Sequence, residues 1–257
     1  MKTLLKMKLL YWALAAILAT GFSPGYGADI GISKDETHVF LKGEIQPGDF
    51  NKVLALARLN FKTFLHASWS LDSTDGDLEE AMQIGNLIKN LGRKVEVWEP
   101  GAKCANACFL VYASAVDRIA LEKSLGLGGP YFAPARFGDI SPDQTRKKSE
   151  LLLTAVRDFL TENEVPNELI EKMFSLSPGQ IYWLDAAEAE RLGRRPRWFE
   201  QNLMAKCRFS SKQFFDAVGR VEKGAASERS KVQQWTECQD GVQEDMSMQN
   251  FDKVFAR

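Results

Sequence analysis

The chain has 257 residues, of which 45% are hydrophobic and 26% are charged, and its formal net charge is −1. A chain of this length and ordinary composition can bury one sizeable core with a small appendage. Removal of the three lysines at the N-terminus would take the net charge to −4, so the charge does not favour a nucleic-acid partner.

The N-terminus has the pattern of a secretory signal peptide. Lys2, Lys6 and Lys8 precede an apolar run of 14 residues, Leu9–Phe22, and small residues follow up to Ala28. An uncleaved membrane anchor is the alternative, but the run is shorter than the ~20 residues that span a bilayer. We predict that residues 1–27 are cleaved and that the mature protein is exported, to the bacterial periplasm or the medium, with no membrane association.

The cysteines predict disulfides. All four follow the leader, at Cys104, Cys108, Cys207 and Cys238. An even number of cysteines in an exported chain favours disulfides, and proximity suggests Cys104–Cys108 and Cys207–Cys238, although three connectivities are possible. A zinc site is the weaker alternative, because neither His38 nor His66 has ligand spacing. We expect no metal and no cofactor.

Strand and helix signals alternate through the first two thirds of the chain. The predicted strands are His38–Ile45, Thr63–Leu71, Lys94–Trp98, Arg118–Leu121, Leu125–Pro130 and Ile181–Leu184. The predicted helices begin at Asp49, at Asp77 with Glu80 completing a capping box, at Ser141, near Pro166, and at Asp185 before Ala186–Leu192. This alternation predicts an α/β fold with a mainly parallel sheet.

One stretch, Lys103–Arg118, carries a long uncharged run. From Ala105 to Ala115 it has no charged side chain and no polar face, so a helix there would be buried on every side. Such a helix is either a core element or the floor of an active site.

The C-terminal part is predicted to be helical and polar. Arg191, Arg194, Arg195 and Arg197 could hold an anion, but a solvated linker is favoured because no glycine-rich nest lies beside them. From Trp198 onward no strand signal occurs. A disulfide that closes a loop of about 30 residues there would stabilise the fold by roughly 3–4 kcal/mol.

From His38 to about Gly193 the chain resembles the ClpP/crotonase superfamily, in particular exported proteins with a cysteine-flanked central helix. Leu71–Leu78 resembles the family's Ser-Pro-Gly-Gly turn, and Cys104–Cys108 resembles the Cys-Ala-Ser-Ala-Cys start of its central helix. Leu125–Pro130 resembles the Leu-Gly-Val-His-Gln-Pro segment. Ile181–Leu184 and the helix after it resemble the strand and helix that close the fold. The resemblance implies a ββα spiral over residues 28–197 and a possible homo-oligomer, a trimer or larger. The polar helical sequence that follows, residues 198–257, is predicted to form a small appendage.

The departures from the family pattern concern its catalytic residues. Asn106 stands where the resemblance places the nucleophilic serine, and a carboxamide cannot be activated to attack a carbonyl. Gly128 stands at the histidine position. Asp75 adds a negative charge where backbone N–H groups would cradle an oxyanion. The serine–histidine mechanism is therefore not expected.

Three functional hypotheses follow. The first is a non-catalytic binding or scaffold module for an unknown protein or peptide, with a groove lined by Asp72, Ser73, Gly76, Asn106, Ala107, Gly128 and Gly129. The second is a residual hydrolase with a non-family nucleophile, for which the candidate hydroxyls are Ser68, Ser70, Ser73 and Ser114. The third is a thiol-redox role of Cys104 and Cys108, which their spacing does not favour.

Overall fold

A computed structural model describes residues 27–132 and 138–255, so the predicted signal peptide, apart from Gly27, lies outside the described residues. The strands are β1 Asp29–Ile32, β2 His38–Lys42, β3 Ser68–Asp72, β4 Lys94–Val97, β5 Cys104–Ala105, β6 Asp117–Ala120, β7 Leu125–Gly128 and β8 Ile181–Trp183. The helices are α1 Asp49–Leu59, α2 Phe61–His66, α3 Leu78–Asn90, α4 Ala107–Ala113, α5 Pro142–Glu162, α6 Asn167–Ser175, α7 Ala186–Leu192, α8 Arg197–Cys207, α9 Ser211–Glu222 and α10 Arg229–Phe255. None of the helices in these ranges has the length and hydrophobicity that a membrane span requires.

The strands form two sheets that confirm an α/β fold with mostly parallel pairing. The larger sheet has the order β1-β2-β3-β4-β6, and only its edge strand β1 is antiparallel to its neighbour. The smaller sheet has the order β5-β7-β8, with β5 parallel and β8 antiparallel to β7. A bridge between Ser73 and Cys104 brings the end of β3 in the first sheet to β5 in the second.

The uncharged stretch forms the buried helix that its composition predicts. Every residue of α4 is buried, including Tyr112, whose pKa is raised by burial. The helix is shorter than the apolar run, because Cys104 and Ala105 pair with β7 as a strand before the chain turns at Asn106.

Several predicted boundaries are wrong. Thr63–Leu71 is not one strand: its first four residues belong to α2, and the strand begins at Ser68. Strand β1 has no counterpart among the predicted strands. The predicted capping box at the start of α3 is incomplete, because Asp77 accepts from two backbone N–H groups but the carboxylate of Glu80 accepts from the backbone of Phe50, at 2.8 Å. Tertiary packing thus redirects a side chain that local spacing assigned to the cap.

Arg118 donates hydrogen bonds to carbonyl groups at the C-terminal ends of three helices. It is buried, and its guanidinium donates to the carbonyl oxygens of Ala113 in α4, Asn163 after α5 (2.9 Å) and Leu192 in α7 (3.4 Å). Burial lowers its pKa to about 10. A cation at helix C-termini interacts favourably with the helix dipoles and satisfies carbonyl groups that have no intrahelical partner.

The C-terminal helices pack on the α/β body of the same chain. Cys207 in α8 is bonded to Cys238 in α10, as predicted. Ser247 in α10 accepts from Arg93 at 3.2 Å and donates to the carbonyl of Leu91 at 2.6 Å, and it is fully buried. The appendage is therefore docked by specific hydrogen bonds to the end of α3.

Candidate functional site

The backbone is strained at the turn from β5 into α4. Asn106 has φ 53° and ψ −118°, a conformation that costs a non-glycine residue about 1–3 kcal/mol. A strained strand-to-helix turn of this kind is how some hydrolases expose a nucleophile. Here the pairing of Cys104 with Leu125 and of Ala105 with Gly126 holds the turn in place.

The side chain of Asn106 is hydrogen-bonded to Asp75. Asn106 Nδ2 donates to Asp75 Oδ1 at 2.5 Å, and the same oxygen accepts from the backbone N–H of Gly76 at 2.8 Å. Because a carboxylate only accepts, this contact determines which end of the amide is nitrogen. Asn106 Oδ1 then lies buried with no partner among the described residues. The amide nitrogen thus has a hydrogen-bond partner, and the amide oxygen is buried without one.

The turn after β3 carries Asp75 to this position through backbone pairing. Ser73 N–H donates to the Lys103 carbonyl at 2.7 Å, and Ala105 N–H donates to the Ser73 carbonyl at 3.0 Å. The Asp72 carboxylate accepts from Lys103 N–H at 3.0 Å. These bonds align the two segments, so that Asp75 reaches the start of α4.

Gly76 completes the turn by close backbone contact. Its φ is +141°, and a Cβ there would lie 2.5 Å from the carbonyl oxygen of Ile45. Asp77 N–H donates to that same oxygen at 2.8 Å. Only glycine fits between the turn and Ile45.

Gly128 and Gly129 also lie in close contact with their neighbours. A Cβ on Gly128 would lie 2.6 Å from Asn106 Cβ, and one on Gly129 would lie 2.5 Å from the carbonyl oxygens of Leu176 and Ser177. Both glycines are buried. The position where the family resemblance expects histidine therefore has no space for a side chain in this packing.

The seven predicted groove residues share one region but differ in exposure. Ser73, Ala107, Gly128 and Gly129 are buried, and Asp72, Gly76 and Asn106 are half-buried. A cavity of about 1000 Å³ lies beside them, and of the seven only Gly76 lines it, with Asp75 next to it. Tyr131 and Leu151, which also line this cavity, are exposed apolar side chains.

The candidate hydroxyls are not paired with histidine. Ser114 donates to the Val111 carbonyl at 2.7 Å, Ser73 to the Asp75 carbonyl at 3.1 Å, and Ser70 to Glu99 at 3.3 Å. Ser68 makes no side-chain hydrogen bond to the described residues. His66, predicted to lie in a strand, is instead the exposed last residue of α2.

His38 makes a contact that the sequence pattern did not indicate. Its Nδ1 lies 2.6 Å from Thr37 Oγ1, and its Nε2 lies 3.1 Å from Glu96 Oε2. The ring stacks on Trp98, with centroids 5.9 Å apart. Glu96 is far from His38 in sequence, and only the alignment of β2, β3 and β4 brings them together.

The cysteine pair beside Asn106 is closed and inaccessible. Cys104 and Cys108 form the predicted disulfide, with Cα atoms 5.1 Å apart, and both are fully buried. Placing Cys104 in β5, before the first helical turn, allows the bridge. Thiol–disulfide exchange requires access to a sulfur atom, which this packing does not provide.

Of the four arginines predicted to form a solvated linker, Arg191, Arg194 and Arg197 are exposed, whereas the side chain of Arg195 is buried. Arg194 Nε donates to Asp117 at 2.6 Å, and Arg195 lies 3.7 Å from the same carboxylate with a side chain only 2% exposed. Burial lowers the pKa of Arg195, and the carboxylate of Asp117 opposes that shift. Arg195, which also donates to Ser211 in α9 and to Gln239 in α10, thus connects the appendage to β6.

Comparisons with known proteins give a structural likeness only. No protein-family model matches the sequence, and no curated protein matches it. Among solved structures, the chain is similar to ClpP1 from Listeria monocytogenes, with 19% sequence identity and a TM-score of 0.45, over 63% of this chain and 89% of that one.

Proposed function

We propose that this protein is an exported, non-catalytic member of the ClpP/crotonase type that acts as a binding or scaffold module for a protein or peptide. The leader-like N-terminus and the sequence motifs support export and the family assignment. The environment of Asn106 supports the loss of catalysis. By resemblance we also propose a homo-oligomer, a trimer or larger, and a ββα spiral.

The observation that carries the proposal is the hydrogen bond between Asn106 and Asp75. A carboxamide nitrogen is not a nucleophile, because its lone pair is delocalised into the carbonyl group. Asp75 also occupies the N–H of Gly76 and places negative charge beside the turn. An oxyanion formed there would be repelled rather than stabilised.

The test for catalysis is labelling with a fluorophosphonate probe, with an active serine hydrolase as positive control. We expect no labelling of the purified protein, of Asn106→Ser, or of Asn106→Ser with Gly128→His. In the double variant, the contact of residue 128 with the start of α4 leaves no space for the imidazole. Stoichiometric labelling of the unaltered protein on a serine or threonine would overturn the proposal.

A residual hydrolase is the second candidate, and one observation favours it. Thr37, His38 and Glu96 form a hydroxyl–imidazole–carboxylate chain with separations of 2.6 and 3.1 Å, the arrangement that activates a hydroxyl nucleophile. Against it, Thr37 is exposed. Labelling that is lost in Thr37→Val and kept in Thr74→Val, a change at another exposed threonine, would establish this candidate.

The binding role is tested at the cavity beside Gly76. Leu151 is 70% exposed and lines this cavity, whereas Leu59, at 83% exposure, does not. On an array of synthetic peptides, we expect Leu151→Arg to lose the peptides that the unaltered protein retains and Leu59→Arg to keep them. If both variants retain the peptides equally, the peptide-binding surface lies elsewhere. If the unaltered protein retains no peptide, peptide binding is excluded and only the scaffold role remains.

A further inference from the structure

A second cavity, of about 430 Å³, lies where the α/β body meets the C-terminal helices. Arg194 and Arg195 enter it from the loop before α8, and Arg197 from the first residue of α8. Its other walls include Glu200 in α8 and Ser211 and Phe215 in α9. Three arginines and one glutamate are therefore among the residues that line this cavity.

The carboxylates near this cavity already have partners. The Asp117 carboxylate, which does not line the cavity, accepts from Arg194. Glu200 accepts from both the backbone N–H and the hydroxyl of Ser211. Arg197, which is exposed, makes no side-chain hydrogen bond or ion pair with the described residues. Glu164 accepts from the backbone N–H of Arg197, but the Arg197 guanidinium itself forms no ion pair with a carboxylate of the described residues.

Arg195 contributes a buried donor with no acceptor. Its terminal nitrogens donate to Ser211 (2.6 Å) and Gln239, but its Nε–H has no partner among the described residues. The side chain is 2% exposed, so bulk water does not solvate it freely. A buried donor without an acceptor destabilises the folded state.

The guanidinium groups are also held in place by aromatic rings. Arg194 lies 4.0 Å and Arg195 5.1 Å from the ring centroid of Phe215, and Arg195 lies 5.7 Å from that of Phe214. Stacking restricts the rotamers of the two side chains before any ligand arrives, which lowers the entropic cost of binding.

We propose that this cavity binds a small-molecule oxyanion, held by Arg197 and, after a small shift of its side chain, by the buried Nε–H of Arg195. Guanidinium groups match carboxylate and phosphate oxygens by paired, charge-assisted hydrogen bonds. The ligand neutralises the unpaired charge and satisfies the buried donor. Because Asp117 belongs to β6 and Gln239 to α10, the bound anion stabilises the docking of the appendage on the body.

The test uses the full mature chain with both disulfides intact. Inorganic phosphate and acetate are titrated at constant ionic strength against sodium chloride, with binding followed by calorimetry and by the melting temperature. We expect saturable binding of at least one anion, together with a rise in melting temperature. Tighter binding of phosphate identifies a phosphoryl ligand, and tighter binding of acetate identifies a carboxylate.

Arg197→Gln is the informative variant. The Arg197 side chain makes no hydrogen bond or ion pair with the described residues, so we expect the substitution to leave the packing intact. Arg229→Gln is the matched control, with the same change in net charge at another exposed arginine without a described partner. We expect binding roughly tenfold weaker or worse in Arg197→Gln, as befits a hydrogen bond to a charged group, and unchanged in the control. Equal affinity in the two variants, or no saturable binding of either anion, would overturn the proposal.

This site and the proposed function involve different residues. Loss of anion binding in Arg197→Gln has no bearing on the probe labelling or on peptide retention at the cavity beside Gly76, so either proposal can fail alone.

Discussion

The amide of Asn106 donates to the carboxylate of Asp75 across 2.5 Å, although the two residues are 31 positions apart in the chain. This bond joins the turn after β3 to the turn before α4. It holds a residue of strained conformation at the start of the central helix, where its side chain has no nucleophilic chemistry. The strained turn between β5 and α4 thus carries a carboxamide, whose nitrogen is not a nucleophile.

Glycine at position 106 should be better tolerated than alanine. Both Asn106→Gly and Asn106→Ala lose the bond to Asp75, but only glycine relieves the positive φ. We expect the free energy of unfolding of Asn106→Gly to exceed that of Asn106→Ala by about 1–2 kcal/mol. Urea denaturation measures the difference.

The same pair of substitutions at Lys147 is the control. Lys147 is exposed within α5, where alanine should be more stable than glycine by about 1 kcal/mol. A preference for alanine at both positions would contradict the strain at Asn106.

Gly128→Ala should destabilise the protein by about 1–3 kcal/mol, because the added methyl group meets Asn106 at 2.6 Å. Part of that cost should disappear in the Asn106→Gly background, since the clash involves the Asn106 side chain. A double-mutant cycle on unfolding free energies should give a coupling of at least about 0.5 kcal/mol.

Gly219→Ala is the control for this cycle. A Cβ at this position in α9 meets nothing within 4 Å, so the substitution should be neutral or stabilising. Strict additivity of Gly128→Ala and Asn106→Gly would show that the two positions are not in contact.

Arg118→Met should be strongly destabilising, by about 3 kcal/mol or more. The change leaves the buried carbonyl groups of Ala113, Asn163 and Leu192 without their donor, and each unsatisfied group costs about 1–3 kcal/mol. Thermal and urea unfolding measure the loss. Arg229→Met, at an exposed position, should change stability by less than about 0.5 kcal/mol, and a similar small change for Arg118→Met would refute the role of Arg118 in joining the three helices.

Asp35 should titrate well below its usual range. Hydrogen bonds from Ser33, whose hydroxyl lies 2.6 Å away, and then from Thr37 lower the pKa of Asp35 to about 2. Because the pKa in the folded state is below the ordinary value of 3.8, this carboxylate supports the folded state fully above about pH 4 and loses that effect as the pH falls towards 2.

A carboxyl NMR titration measures this pKa directly. In Ser33→Ala, which removes the largest cause, the pKa should rise towards 3.8. An unchanged pKa in that variant would show that the Ser33 hydroxyl does not stabilise the carboxylate.

The sequence by itself determined the elements whose signals are local. The helix starts at Ser141 and Asp185 and the apolar α4 each depend on residues within a few positions of one another, and proximity suggested the Cys104–Cys108 bridge among three possible connectivities. Alternation of strands and helices was sufficient to predict the α/β class and the mostly parallel sheet. Local hydrogen bonding and periodicity therefore carried these predictions.

Only the tertiary structure decided the contacts between distant segments. Thr63–His66 has the composition of a strand but continues as helix α2, with Phe64 buried in the core. The partners Asp75 for Asn106 and Asp117 for Arg194 are 31 and 77 positions away. Their identity depends on which strand ends meet after folding, and this is set by sheet order and core packing rather than by the residues' immediate neighbours.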